Sequence, residues 1–255
     1  MIANHDPKAI DRIAVGVLGL LAVVAALTFR DYGLGWDDYT HSQYAELLLS
    51  FYTSGFKDQR AFSFINLYYY GGGFDVAALL LSKALPFGLF ETRRLLGAVV
   101  GLIGLFTTWR LARRIGGPFA GLIALTLLAT CPLYVGHVFI NAKDAPFAVA
   151  MVVFLLGLVR ALEEYPRPSP ATMLILGLGF GLSIGSRIMS GFGVLTALAA
   201  AALLFGSGWL SCTIARKLET RFPPRGTFVT ASGVRCCGPS SSKVGSWASG
   251  RVKLT

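Results

Sequence analysis

Apolar residues fall into six long runs along the chain, at 13–29, 95–111, 118–138, 145–162, 171–186 and 188–210. A hydrocarbon core about 30 Å thick takes roughly 20 helical residues to cross. The shorter runs reach that length once flanking residues and tilt are counted. The last two form one apolar stretch broken only by Arg187. No single span is that long, so the pattern predicts a tight turn at 187–191 and six membrane helices within residues 1–210. The expected fold class is an all-α polytopic membrane protein, a transmembrane helical bundle. The first run is longer than the apolar centre of a secretory signal and reads as an uncleaved anchor.

Residues 30–94 separate the first two runs and are too long for a bare loop in a compact protein, which points to function. Positions 38–54 follow a helical period. Tyr44, Ala45, Leu48, Phe51 and Tyr52 share one face, and Ser42, Gln43, Glu46, Ser50 and Thr53 the other. This predicts a helix lying in the membrane interface. The apolar stretch 74–90 carries Asp75, Lys83 and Pro86, so it reads as a second juxtamembrane helix rather than a span. Between the two lie Tyr68, Tyr69 and Tyr70, followed by a glycine joint, Gly71 to Gly73. Glycines at 177, 181 and 185, and at 97, 101 and 104, predict close helix packing. No strand precedes them, so they are not a dinucleotide-binding fingerprint.

Composition narrows the class. The chain is 54% hydrophobic and only 14% charged, against about 25% charged in ordinary soluble domains. That excludes a soluble enzyme, a disordered chain and a disulfide-knotted secreted domain. The net charge of +10 suggests an anionic partner until it is divided by position. Residues 206–255 hold eight Lys or Arg against Glu219 alone, while the rest of the chain holds 15 basic and 12 acidic groups. The basicity belongs mainly to residues 211–255, which show no sustained period. They read either as a disordered cytoplasmic tail or as sequence from a shifted reading frame. No nucleic-acid partner is expected. Cys131 stands alone in an apolar run and Cys212, Cys236 and Cys237 lie in the tail, with no metal-ligand spacing. No metal site is expected.

Lys and Arg near the span ends set the orientation. With Lys8 and Arg12 in the cytoplasm, Arg110, Arg113, Arg114, Arg160, Arg167 and the tail also fall inside. Residues 30–94, the loop at 138–144 and the turn at Arg187 fall outside. The outer side then receives Asp37 and Asp38, then His137, Asn141, Lys143 and Asp144, and finally Arg187. Ionisable groups at such depths are costly unless paired or lining a polar cavity. A carboxylate there can take the proton of an attacking hydroxyl, and Lys or Arg can neutralise a departing phosphate. These types suit transfer of a sugar from a lipid phosphate. Plainer roles stand beside each of them. Asp37 or Asp38 can cap the 38–54 helix, and Asp144 with Pro146 fits a helix start. Lys143 and Arg187 can snorkel to headgroups, His137 can be a packed histidine, and the tyrosines can form an interfacial belt.

Trp36-Asp37-Asp38-Tyr39, the Tyr-rich segment before Gly71, Glu91-Thr-Arg-Arg-Leu-Leu-Gly97, Trp109-Arg-Leu-Ala-Arg-Arg114 and Asn141-Ala-Lys-Asp-Ala-Pro146 together resemble glycosyltransferase family 39. This group contains protein O-mannosyltransferases and lipid A aminoarabinose transferases and has the GT-C membrane fold. The resemblance covers roughly residues 10–205. It implies inverting transfer from a polyprenyl-phosphate sugar, in a bacterial inner membrane with the active face in the periplasm. It implies Asp37, with Asp38 beside it, as the catalytic carboxylate, and Asp144 as a second acid that orients substrates. Lys143 and Arg187 are assigned to the donor phosphate, and Tyr68, Tyr69, His137 and Asn141 to acceptor or sugar. No cofactor is implied beyond the donor itself. Many relatives have Asp-Glu in place of Asp37-Asp38, a Lys-Pro-Pro where this chain has Leu67 to Tyr70, and about twice as many spans. The resemblance is thus to the N-terminal part of such a transferase. The competing expectation is a non-catalytic membrane protein, a lipid-carrier transporter or assembly subunit, with the acids as helix caps, or a truncated inactive fragment.

Overall fold

A computed structural model describes residues 6–199 together with 202 and 203. The tail expected over 211–255 and the end of the sixth apolar run lie outside the described residues. The chain divides into two compact units after Ala199, and all elements below belong to the first. Regular structure among the described residues is helical, as expected for an all-α membrane protein. In chain order the helices are α1 (Pro7–Thr28), α2 (Asp38–Thr53), α3 (Gly73–Ala84), α4 (Leu89–Ala129), α5 (Pro132–Ile140), α6 (Asp144–Glu163), α7 (Pro170–Ser186) and α8 (Ser190–Ala199). Of these, α1, α4 and α6 are long and apolar enough to cross a membrane, and α7 and α8 are shorter apolar helices.

The α4 helix has two arms. Gly117 takes φ +84°, open to glycine but strained for other residues, and Pro118 follows it without an N–H. The chain turns back there. Gly121 lies against Trp109 and Arg113, and Leu125 packs with Leu105, Trp109 and Ala14 of α1. The predicted run 118–138 is therefore interrupted. Cys131, ahead of Pro132, is extended, and the proline ends the returning arm before α5 resumes beside the first arm. Tyr134 Oη donates to the Gly101 carbonyl at 2.7 Å, and Val138 packs over Gly97 and Gly101. These glycines do allow the close approach expected of them.

The expectation for α7 needs correction. Gly177, Gly181 and Gly185 face open space, and the contact with α6 is made by Gly179, against the backbone of Val153 and Phe154, and by Gly157, against Leu176. Gly179 is two residues from Gly177 and Gly181, about 200° round the helix and so on the opposite face.

Between the first two apolar runs α2 matches its predicted bounds to within a residue, but its faces differ. Ser42 is buried, donating to the Asp38 carbonyl at 2.7 Å, whereas Tyr52 is exposed. The helix α3 stops at Ala84 because Leu85 precedes Pro86 and is extended, so Leu89 already belongs to α4. At the opposite end of the bundle Arg113 grips Asp11 with two bonds of 2.7 and 2.6 Å, and Arg114 pairs with Glu163. Between α6 and α7, Glu164 accepts from the Ser169 N–H and the Thr172 hydroxyl, which pull its carboxyl down to about 2.

Candidate active site

Four separate stretches meet at the other end of the bundle around a cleft of about 330 Å³. The entry to α2, the α5–α6 junction and the end of α7 line it, and the tyrosine loop packs against the last two through Tyr70. Asp37 occupies the N-cap position of α2, yet its carboxylate makes no capping bond. It accepts instead from Lys143 Nζ at 2.9 Å. That bond, against a smaller opposing effect of burial, holds the Asp37 carboxyl below the usual carboxylate range. The group is thus ionised and half-exposed at the cleft.

Asn141 organises the second stretch. Its Oδ1 accepts the N–H groups of Lys143 and Asp144 at 3.0 and 2.8 Å, a local turn that satisfies the orphan donors at the start of α6. Its Nδ2 donates to Asp144 Oδ2 at 3.0 Å and lies 3.0 Å from His137 Nδ1. An amide nitrogen has no lone pair to give, so the His137 proton belongs on Nε2. Asp144 Oδ1 meets Arg187 at 2.7 Å. Arg187 follows α7 as an extended residue bridged antiparallel to Tyr70, and the Gly71 N–H donates to the Ser186 carbonyl at 3.2 Å. The Tyr70 ring lies 5.1 Å from Lys143 Nζ and 5.4 Å from the Arg187 guanidinium, within cation–π range of both.

A buried polar network adjoins the cleft. Asp38 is 7% exposed. One of its oxygens accepts the Gly35 N–H at 2.7 Å and the other faces Arg93 Nε at 3.3 Å. Arg93 also donates to Asp75 Oδ1 at 2.8 Å, and Asp75 Oδ2 bonds His41 Nδ1 at 2.7 Å. Asp38 therefore ties the α2 entry to α3 and α4, while its neighbour Asp37 reaches the cleft.

Of the residues singled out by sequence, Asp37, Asp38, His137, Asn141, Lys143, Asp144 and Arg187 line this one cleft. Tyr68 and Tyr69 do not. They are exposed, and their rings lie tilted against one another with centroids 4.2 Å apart. Four site residues were missed. His41 carried a signal, standing one helical turn after Asp37. Asp75 is the acid in an otherwise apolar stretch, and Arg93 lies within the Glu91–Gly97 motif. Tyr70 was hidden among equivalent tyrosines. Among the described residues no group of three or more His, Cys, Asp or Glu side chains is placed to hold a metal ion.

The family model described as dolichyl-phosphate-mannose-protein mannosyltransferase matches residues 82–218, more than half of the chain. The chain belongs to this family. Membership makes it a multi-pass membrane glycosyltransferase of the mannosyltransferase type. The matched segment of this mannosyltransferase-family chain includes Arg93, Asn141, Lys143, Asp144 and Arg187, and it begins after Asp37, Asp38, His41 and Asp75. Neither a curated protein nor a solved structure matches the chain.

Proposed function

We propose that the chain transfers a mannose-type sugar from a polyprenyl-phosphate donor to an acceptor hydroxyl at the outer membrane face, with Asp37 as general base. One observation carries this reading. Two carboxylates and two cations from three separated stretches of the sequence pair in a single cleft, Asp37 with Lys143 and Asp144 with Arg187. The bond from Lys143 keeps Asp37 in the ionised form a base requires. Arg187 leaves Nε without a protein partner while its NH2 holds Asp144, so it has a donor to offer a phosphate oxygen.

The reaction is a single in-line displacement. The acceptor oxygen attacks C1 of the sugar and its proton passes to an Asp37 oxygen. The C1–O bond breaks with its electrons going to the phosphate, whose growing charge Arg187 and Lys143 offset. Configuration at C1 inverts. Asp144 holds Arg187 in place and Asn141 holds Asp144. The outer-face assignment rests on Arg113, Arg114, Arg160 and Arg167 lying toward the opposite, cytoplasmic end.

The test is reconstitution of the full chain in lipid nanodiscs with polyprenyl-phosphate mannose and a hydroxyl acceptor. Asp37→Asn is expected to lower transfer by about 10² to 10⁴ while donor still binds. An undiminished rate would remove Asp37 as base, and a product with retained configuration would remove the single displacement.

A further inference from the structure

The buried network beside the cleft contains two nitrogens without a hydrogen-bond partner, Arg93 Nη2 and His41 Nε2, and of the two residues His41 is the one that lines the cleft. His41 borders the cleft and is 3% exposed. Its Nδ1 is bonded to Asp75, but its Nε2 is buried with no hydrogen-bond partner. The neighbours set the role of Nδ1. Asp75 Oδ1 accepts from Arg93, and its other oxygen is placed to accept from His41 Nδ1. Nδ1 therefore turns a proton toward Asp75, which leaves Nε2 as the ring's second hydrogen-bonding position. An unmade hydrogen bond at a buried nitrogen costs stability with no return from the protein itself. The ring is also held in place. It sits one helical turn after Asp37, so both leave the same face of α2, and Asp75, itself fixed by Arg93, locks the ring orientation.

We propose that His41 is a further substrate-binding residue, whose Nε2 hydrogen-bonds a sugar-type hydroxyl held in the cleft next to Asp37. The proposal takes its substrate from the transfer reading above. The hydroxyl belongs either to the donor sugar or to the acceptor, and both present the same chemistry to Nε2. Asp75 and Arg93 are positioning residues, since they act on the substrate only through the ring.

Two substitutions separate this role from a structural one. His41→Asn places an amide nitrogen where Nδ1 stood, keeping the bond to Asp75 and deleting Nε2. His41→Gln reaches the Nε2 position and gives up the Asp75 bond. Each variant is reconstituted in nanodiscs. Affinity for polyprenyl-phosphate mannose and for the acceptor is measured directly, together with thermal unfolding and transfer from a set of deoxy-mannosyl donors. The expected result is a His41→Asn protein with near wild-type unfolding whose affinity for one substrate falls about five- to tenfold. Removing the contacted hydroxyl should weaken wild-type binding by the same factor and leave His41→Asn binding unchanged. A loss confined to the donor and cancelled by one deoxy position assigns the donor sugar. A loss confined to the acceptor assigns the acceptor hydroxyl. The proposal is overturned if His41→Asn binds both substrates like wild type while His41→Gln is impaired, since only the tie to Asp75 then matters. It is also overturned if deoxy and Asn losses simply add. Should Asp37→Asn retain transfer, the base assignment fails while these affinity arms still decide the role of His41.

Discussion

Lys143 Nζ lies 2.9 Å from Asp37 Oδ2, joining the start of α6 to the entry of α2 across 106 positions. The lysine has a double role in the proposed reaction, since it sets the charge of the base and stands beside the departing phosphate. The two roles are separable by pH. The Asp37 carboxyl now sits below its ordinary value because Lys143 donates to it. Transfer should therefore be lost as pH falls through that lowered value. Lys143→Met removes the bond, so protonation occurs at higher pH and the acid limb of the rate profile moves upward, toward the ordinary carboxylate range. A limb that stays in place while the rate alone drops would show that Lys143 does not govern Asp37.

Arg93 is 3% exposed and compensates two buried carboxylates, Asp38 and Asp75. Arg93→Met leaves both without their cation. Breaking a buried ion pair from one side typically costs about 3–5 kcal/mol, so unfolding in detergent should occur at clearly lower temperature. Arg93→Met combined with Asp75→Asn should recover part of the loss, because one stranded charge is gone. Equal destabilisation in both variants would mean the packing of the arginine stem, not its charge, is what matters.

Gly71 abuts the carbonyl of Gly185, leaving no room for a Cβ. Gly71→Ala should push the tyrosine loop off the end of α7, cost about 1–3 kcal/mol and raise KM for the donor through displaced Arg187. Gly73, two residues on, has open space around it, so Gly73→Ala should stay within about 0.5 kcal/mol of wild type. Thermal melts and donor KM on this pair give the comparison, and equal effects would sink the account.

Tyr70 presents one ring to both cations. Two cation–π contacts of about 0.5–1 kcal/mol each should make Tyr70→Leu weaken donor binding roughly fivefold or more, whereas Tyr70→Phe, which keeps the ring, should bind normally. Titration of donor into each variant reads this directly. A Phe variant as weak as Leu would shift the role to the phenol oxygen.

Much of this arrangement was legible from sequence because membrane helices and interfacial ionisable groups are governed by strong local costs. The three helices long and apolar enough to cross a membrane, α2 and the convergence of Asp37, Lys143, Asp144 and Arg187 on one end all follow from hydropathy and charge. Other features depended on contacts that no local pattern encodes. Val138 had to be placed to see why Gly97 and Gly101 are small, and α6 to see that Gly179 rather than Gly177 makes the close contact. The different fates of Asp37 and Asp38, one at the cleft and one buried on Arg93, depend on where α4 begins. Pro132 did carry a local warning that the third apolar run would break, but an unbroken hydropathy signal masked it.

The pairing of Asp37 with Lys143 and of Asp144 with Arg187 also has a consequence in time. The ribosome delivers Asp37 more than 100 residues before Lys143, and Asp144 some 40 before Arg187. Until α7 has emerged, a nascent chain carries at least one of these carboxylates unmatched. The cleft therefore comes into being only once the end of α7 has been made, and partial translation products should differ from longer ones in their acid–base properties before they differ in helix content.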